Sequence, residues 1–210
     1  LKDPKAARNY FNQAIQEAKQ LLLDNPVSLL AVKGILDTHC DIGDSYLLDL
    51  NDPKSALLQY IQALQIAKSL AAADVQNIES QSILGMVHGQ LGDTYLAMDQ
   101  NKQALKHYEQ GLAIAKTIAK TDPANVEYAL DLAIAYEQIS LAEELAGHNQ
   151  LASQWFDRAS AIIERLQADH KLPAEERLNV LVTRMKMLAN HDDVKGLLII
   201  ADQLLQFGNT

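Results

Sequence analysis

Residues 38–46 read THCDIGDSY and set a histidine, a cysteine and two aspartates within six positions. Such a group could ligate a metal, or supply a nucleophile beside a base. Helical geometry speaks against both. His39 and Cys40 are adjacent and point about 100° apart around a helix, whereas a zinc site needs three or four converging ligands. Cys40 and Asp44, at i and i+4, supply two. A second stretch, 87–95, reads VHGQLGDTY and repeats the histidine, glycine, aspartate and tyrosine 49 residues later, without the cysteine. A pattern that recurs at a fixed period reads first as architecture. The other histidines, His107, His148, His170 and His191, are scattered. The chain has no Ser-His-Asp order, glycine-rich phosphate loop, H-E-x-x-H or paired C-x-x-C. We expect no catalytic residue, no metal and no cofactor.

The elements that position these residues follow from the composition. Of 210 residues, 48% are hydrophobic, with nine glycines and five prolines. That is enough apolar material for a real core, and it favours helix nearly throughout. A net charge of −9 excludes the nucleic-acid class, which wants clustered Lys and Arg. A single cysteine rules out an internal disulfide and any multi-thiolate metal site. One cysteine and no signal segment fit a reducing, cytoplasmic setting. No apolar run reaches transmembrane length, so no membrane insertion is expected of this segment.

The chain aligns on itself. Ala7, Phe11, Ala14, Ile15, Ala18 and Lys19 match Ala56, Tyr60, Ala63, Leu64, Ala67 and Lys68. Those match Ala104, Tyr108, Gly111, Leu112, Ala115 and Lys116, and a fourth copy keeps Ala152, Phe156, Ala159 and Ile163. The other half of each unit repeats as His39, Ile42, Gly43, Tyr46, then His88, Leu91, Gly92, Tyr95, then Tyr136, Ile139, Ser140, Glu143. The period is 48 or 49 residues, and offsets of three, four and seven describe one buried helical face. Asp3-Pro4, Asn25-Pro26, Asp52-Pro53 and Asp122-Pro123 offer N-caps with proline at the first helical position. Asn101, Asn149 and Asp192 are further candidate caps, and Gly147 and Gly208 candidate stops. The spacing predicts nine helices, near 4–24, 27–50, 53–72, 75–98, 102–120, 123–146, 150–169, 173–190 and 193–207, and no sheet.

Leu91-Gly92-x-x-Tyr95, followed by Ala104 and Tyr108, resembles the tetratricopeptide repeat, whose signature is L-G-x-x-Y, then A, then F or Y. Ile42-Gly43-x-x-Tyr46, Ala56 and Tyr60 form a second copy with one extra residue in the turn. Copies at both ends are partial, so the signature covers about 4–169, and a degenerate capping pair occupies 173–207. The period exceeds the usual 34 or so, which resembles a long-helix variant. The resemblance implies an all-α right-handed solenoid of antiparallel helix pairs, residues 1–210 forming a single domain. Helix 4–24 lacks the partner expected before it, so the native domain is expected to begin earlier, within a larger bacterial-type protein.

The resemblance also implies a function. First-helix positions of such repeats line a concave groove that binds a peptide or protein segment. Here they are Asp37, Cys40, Asp41 and Asp44, then Met86, Gly89, Gln90 and Asp93, then Ile134, Glu137, Gln138 and Leu141. Some family members place Lys, Arg and Asn there to clamp a C-terminal carboxylate, and that clamp is absent. An acidic groove favours a basic or amide-rich protein partner, with Gly89 leaving a gap in its wall. Trp155, beside Phe156, reads as inter-helix core or rim. The alternative is a regulatory sensor array that binds a short peptide or small ligand and gates an attached effector.

Overall fold

In a computed structural model of the protein, residues 29–169 are described continuously. Asn9, Tyr10, Gln13, Ile15, Gln16, Glu17, Gln20, Leu178, Val182 and Met185 are described besides. The described residues are helical and contain no strand. The helices are α1 (Leu29–Asp44), continued by a π-helical turn (Ser45–Asp49), α2 (Pro53–Ala73), α3 (Ile78–Leu96), α4 (Asn101–Thr121), α5 (Val126–Leu145) and α6 (Asn149–Ala168). Nine helices were expected; six and the π turn are found here, so the count falls short of nine among the described residues. The expected helices at 4–24, 173–190 and 193–207 lie largely outside them, as do the caps at Asp3, Asn25 and Asp192 and the stop at Gly208. The chain divides into two compact units, Leu1–Gly111 and Leu112–Thr210, each described below by itself.

The repeat is visible in the backbone that ends each first helix. Asn51, Asp99 and Gly147, 48 residues apart in turn, all take positive φ of 49°, 58° and 82°. Behind Asp99 the Gln100 amide donates to the Tyr95 carbonyl at 2.9 Å and the Asp99 amide to that of Leu96. Behind Gly147 the His148 amide donates to Glu143 and the Gly147 amide to Glu144. These are paired Schellman bonds, which satisfy the orphan carbonyls of a helix end. At Asn51 the Asp52 amide reaches one residue further back, to Tyr46 at 2.7 Å, across the π turn. That inserted residue is the extra residue read in the first signature, and it makes the period 49 ahead of the turn and 48 after it.

The helix starts correct the sequence reading in part. Asp52 does cap α2, accepting from the Ser55 amide at 3.1 Å, with Pro53 following. Asp122 does not cap α5. It accepts from the Ala124 amide in a local turn, and Asn125 caps the helix by accepting from Tyr128. Asp74 and Asn77 do the same ahead of α3. Both helices therefore begin about three residues later than expected, because a short polar side chain bonding two residues on competes with the first helical turn. Asn101 and Asn149, expected as caps, are instead the first residues of α4 and α6.

In the 1–111 unit Leu36, Cys40, Ala56, Tyr60, Ala63, Ala67, Leu70, Val87 and Leu91 form one buried cluster. The helices of a pair run antiparallel, since residues early in the second meet residues late in the first. Tyr60 lies over Gly43 so closely that a Cβ there would stand 2.6 Å from the ring, and a Cβ at Gly92 would collide with Tyr108. Both tyrosines are fully buried. The Tyr60 hydroxyl donates to Asp44 Oδ1 at 2.5 Å and the Tyr108 hydroxyl to Asp93 Oδ1 at 2.6 Å. Next to each latch a second pair crosses the helices: His39 Nδ1 with Gln59 Oε1 at 2.9 Å, and His88 Nδ1 with His107 Nδ1 at 3.0 Å, with Tyr95 stacked on His107. In the 112–210 unit Val126, Ala129, Leu130, Ala133, Ala159, Ile163 and Leu166 form the core.

Two predictions follow from this packing. Gly92→Ala should destabilise by about 1–3 kcal/mol, the usual range for overpacking, because the Tyr108 ring is fully buried and tied by its hydroxyl to Asp93. Gly34, in the interior of α1, has open space at its Cβ position, so Gly34→Ala should stabilise by up to about 1 kcal/mol. Urea unfolding of the two variants measures both signs.

Acid should act through His88. Burial first, then His107 and Lys68, pull its pKa from 6.5 to about 4, and burial also lowers that of His107. The unfolded chain then binds more protons than the folded one between those values. Stability is full above pH 6.5 and is lost as pH falls towards 4, by about 3–4 kcal/mol at roughly 1.4 kcal/mol per pKa unit. His88→Gln, which mirrors the His39–Gln59 pair, should flatten that limb in pH-dependent unfolding curves.

Candidate functional site

The expected groove positions of the 1–111 unit fall into three environments. Asp37, Asp41 and Met86 are exposed, Met86 by 47%. Cys40 and Gly89 are buried. Asp44, Gln90 and Asp93 are tied into the fold by hydrogen bonds. Asp44 accepts from Tyr60, and Gln90 Nε2 donates weakly to the same oxygen at 3.4 Å. Gln90 Oε1 is buried without a partner among the described residues. Asp93 is exposed at its edge yet accepts from Tyr108.

The electrostatics of α1 follow from this placement. Burial first, then Asp44, Asp37 and Asp41, push the Cys40 thiol up to about 12. A thiol held neutral at physiological pH is neither a nucleophile nor a ready metal ligand. Partial desolvation, then Asp44 and Asp37, raise the Asp41 carboxyl above its ordinary value although the residue is exposed. Like charges thus crowd one face of α1. Lys33, one turn before Asp37, is engaged by Glu79. Among the described residues no three of His, Cys, Asp and Glu are placed to hold a metal ion. Among them, too, no helix is long and apolar enough to cross a membrane.

The 112–210 unit differs. Ile134 is exposed by 39%, Gln138 and Leu141 are half-buried, and Glu137, expected on the groove wall, is 6% exposed. Glu137 follows the buried register of Cys40 and Gly89, so burial at this position holds in all three copies. The hydroxyl–carboxylate latch is lost as a set. Phe156 replaces the tyrosine, Leu141 the aspartate and Ser140 the glycine. Ser140 Oγ donates instead to the Ala152 carbonyl at 2.8 Å. Phe156 is only half-buried, and a cleft of about 220 Å³ opens between Ser140, Glu144, Asn149, Ala152, Ser153 and Phe156.

Sequence reasoning did not single out the Tyr136–Trp155 pair, which stacks at 5.7 Å between centroids under the cations of Lys116 and Arg158. Its signal was present in the register. Positions 136 and 155 are those of His88 and His107 moved on by 48 residues, and Lys116 is Lys68 moved on likewise.

A tetratricopeptide-repeat sequence profile matches residues 87–118. No curated protein matches the chain. Among solved structures, BtubC (BKLC) from P. vanneervenii is similar at 15% identity and a TM-score of 0.42, over 98% of this chain and 91% of that one. MamA is similar at 21% identity and a TM-score of 0.31, over 78% of this chain and 94% of that one. At such scores neither superposition bears on the fold, which rests on the repeat register and the helices themselves. Segment 87–118 holds Leu91, Gly92, Tyr95, Ala104 and Tyr108 with the Gly92–Tyr108 seat between them, and that segment matches the tetratricopeptide repeat.

Proposed function

We propose that the protein is a non-catalytic scaffold that binds a basic or amide-rich protein segment on the acidic face of α1, with α3 alongside. Tetratricopeptide repeats are protein-interaction modules, and the polar face of α1 is where this chain departs from neutrality. The observation that carries the reading is the state of Asp37 and Asp41. Both are exposed, Asp41 feels the carboxylates of both Asp44 and Asp37, and neither makes an ion pair among the described residues. Like charges so placed oppose folding, and a cationic segment would relieve them. Exposed Met86 on α3 offers apolar contact in the same unit, and Gln90 Oε1 an unused acceptor. Ile134 and Gln138 offer comparable groups in the 112–210 unit, whereas Cys40, Gly89 and Glu137 serve packing.

The test is charge reversal at Asp41. A Lys-rich peptide should bind the native protein, more weakly as salt rises, since such attraction is screened over about 8 Å at physiological ionic strength. Asp41→Lys should weaken that binding while melting changes by no more than about 0.5 kcal/mol, as for most surface substitutions. Asp93→Lys is the wrong probe, since it also breaks the Tyr108 bond, where a hydrogen bond to a charged group is worth about 1.5–3 kcal/mol. Unchanged affinity in folded Asp41→Lys protein removes the proposal.

A further inference from the structure

The 112–210 unit carries a feature that the acidic face does not explain. Tyr136 on α5 and Trp155 on α6 stack at 5.7 Å with an interplanar angle of 26°. Lys116 Nζ stands 5.3 Å from the tyrosine centroid and 5.7 Å from that of the tryptophan. Arg158 Cζ stands 4.3 Å from the tryptophan centroid and 6.0 Å from that of the tyrosine. Both rings are half-buried, Lys116 is half-buried and Arg158 is exposed. Neither cation forms an ion pair among the described residues. Trp155 Nε1 is shielded from solvent and has no acceptor among the described residues.

The fold does not require this arrangement. The same two positions in the preceding copies hold His39 with Gln59 and His88 with His107, each joined by one direct hydrogen bond. Those pairs are joined directly; Tyr136 and Trp155 stack with no hydrogen bond between them, and the indole N–H is left without an acceptor among the described residues. The arginine is likewise particular to this copy, where Gln62 and Gln110 stand at the equivalent positions. The site thus gathers an ammonium, a guanidinium and an indole N–H, all donors, around an aromatic surface, and among the described residues no carboxylate pairs with either cation. Buried polar groups are nearly always satisfied, and an orphaned donor beside two free cations marks a place for an acceptor-rich anion. The ring quadrupoles attract the cations resting on them, which holds them in place without neutralising them.

We propose that Lys116, Tyr136, Trp155 and Arg158 form a second docking surface, which takes a carboxylate-rich segment of a partner protein carrying an apolar or aromatic residue. The carboxylates meet the ammonium and guanidinium edges, and the apolar residue lies on the exposed part of the stacked rings. In a chain of net charge −9 this surface selects the opposite charge from the face at Asp37 and Asp41. It stands independently of that reading.

Trp155 is the single tryptophan of the chain, so its fluorescence reports on this surface directly. The intact protein is titrated with a Glu- and Phe-rich peptide lacking tryptophan, with a Lys-rich peptide and with inorganic phosphate. The acidic peptide should give a saturable change in Trp155 emission that weakens as salt rises, and the Lys-rich peptide none. Lys116→Gln with Arg158→Gln should weaken the acidic peptide by about tenfold or more, or roughly 1.4 kcal/mol, with helix content unchanged. An acidic peptide that leaves Trp155 unmoved, or that binds the folded double variant equally well, overturns the proposal. So does phosphate alone reproducing the full change, which would make this a general anion site. If the double variant fails to fold, the salt dependence and charge selectivity of the native protein, together with the exposed single variant Arg158→Gln, decide the same question.

Discussion

A tyrosine lying on a glycine and bonding to the aspartate beside it holds each well-formed helix pair together. Gly43 and Gly92 remove the side chain that would keep the helices apart, and Tyr60 and Tyr108 fill the space so opened. Filling it strands a phenolic hydroxyl at the far edge of the ring, and burial pushes the Tyr60 phenol above its ordinary value. Asp44 and Asp93, one residue past each glycine, accept that hydroxyl. The three residues form one solution to one constraint, which the third copy illustrates by losing all of them. Phe156 has no hydroxyl to satisfy, Leu141 has no acceptor to offer, and Ser140 replaces the glycine once the ring has withdrawn from full burial.

That constraint explains how the site was legible and where it was not. The helix pairs, their apolar faces and the Gly–Tyr register were readable because a buried face recurs at three and four residues and the repeat supplied independent copies. The tyrosine bonds of Asp44 and Asp93 were not legible because these residues share the polar stripe of Asp37 and Asp41 on a helical wheel. A wheel cannot show that the last turn of the first helix tucks under the tyrosine ring of the second. The burial of Cys40, Gly89 and Glu137 was not legible for a related reason. The first helices α1, α3 and α5 each meet more than one neighbour, so their buried arc is wider than the single face drawn from periodicity.

Helix boundaries moved for local reasons. Asp74 and Asp122 spend their side chains on amides two residues on, and the true caps, Asn77 and Asn125, lie three residues later. The π turn at Ser45–Asp49 absorbs one inserted residue without displacing the helices it joins. Asn51 therefore keeps the left-handed conformation that Asp99 and Gly147 hold at the same point. The insertion left its trace in the sequence as the change of period from 49 to 48, a difference of spacing that no residue type announces.

The position next to the latch has the opposite character. His39–Gln59, His88–His107 and Tyr136–Trp155 occupy equivalent sites, and the backbone carries all three. Where the latch fixes the spacing of the helices, its neighbour need only be filled. A pair that satisfies itself, as the first two do, adds stability and little else. The His88–His107 pair adds acid sensitivity too, because at least one ring must stay neutral to accept. A pair that only stacks leaves bonding capacity unused. Tyr136 and Trp155 are such a pair, and the two cations gathered over them form no ion pair among the described residues. Repeat architecture makes this division of labour easy: one invariant contact carries the fold in each well-formed copy, and the adjacent position is left open to chemistry that the fold itself does not use.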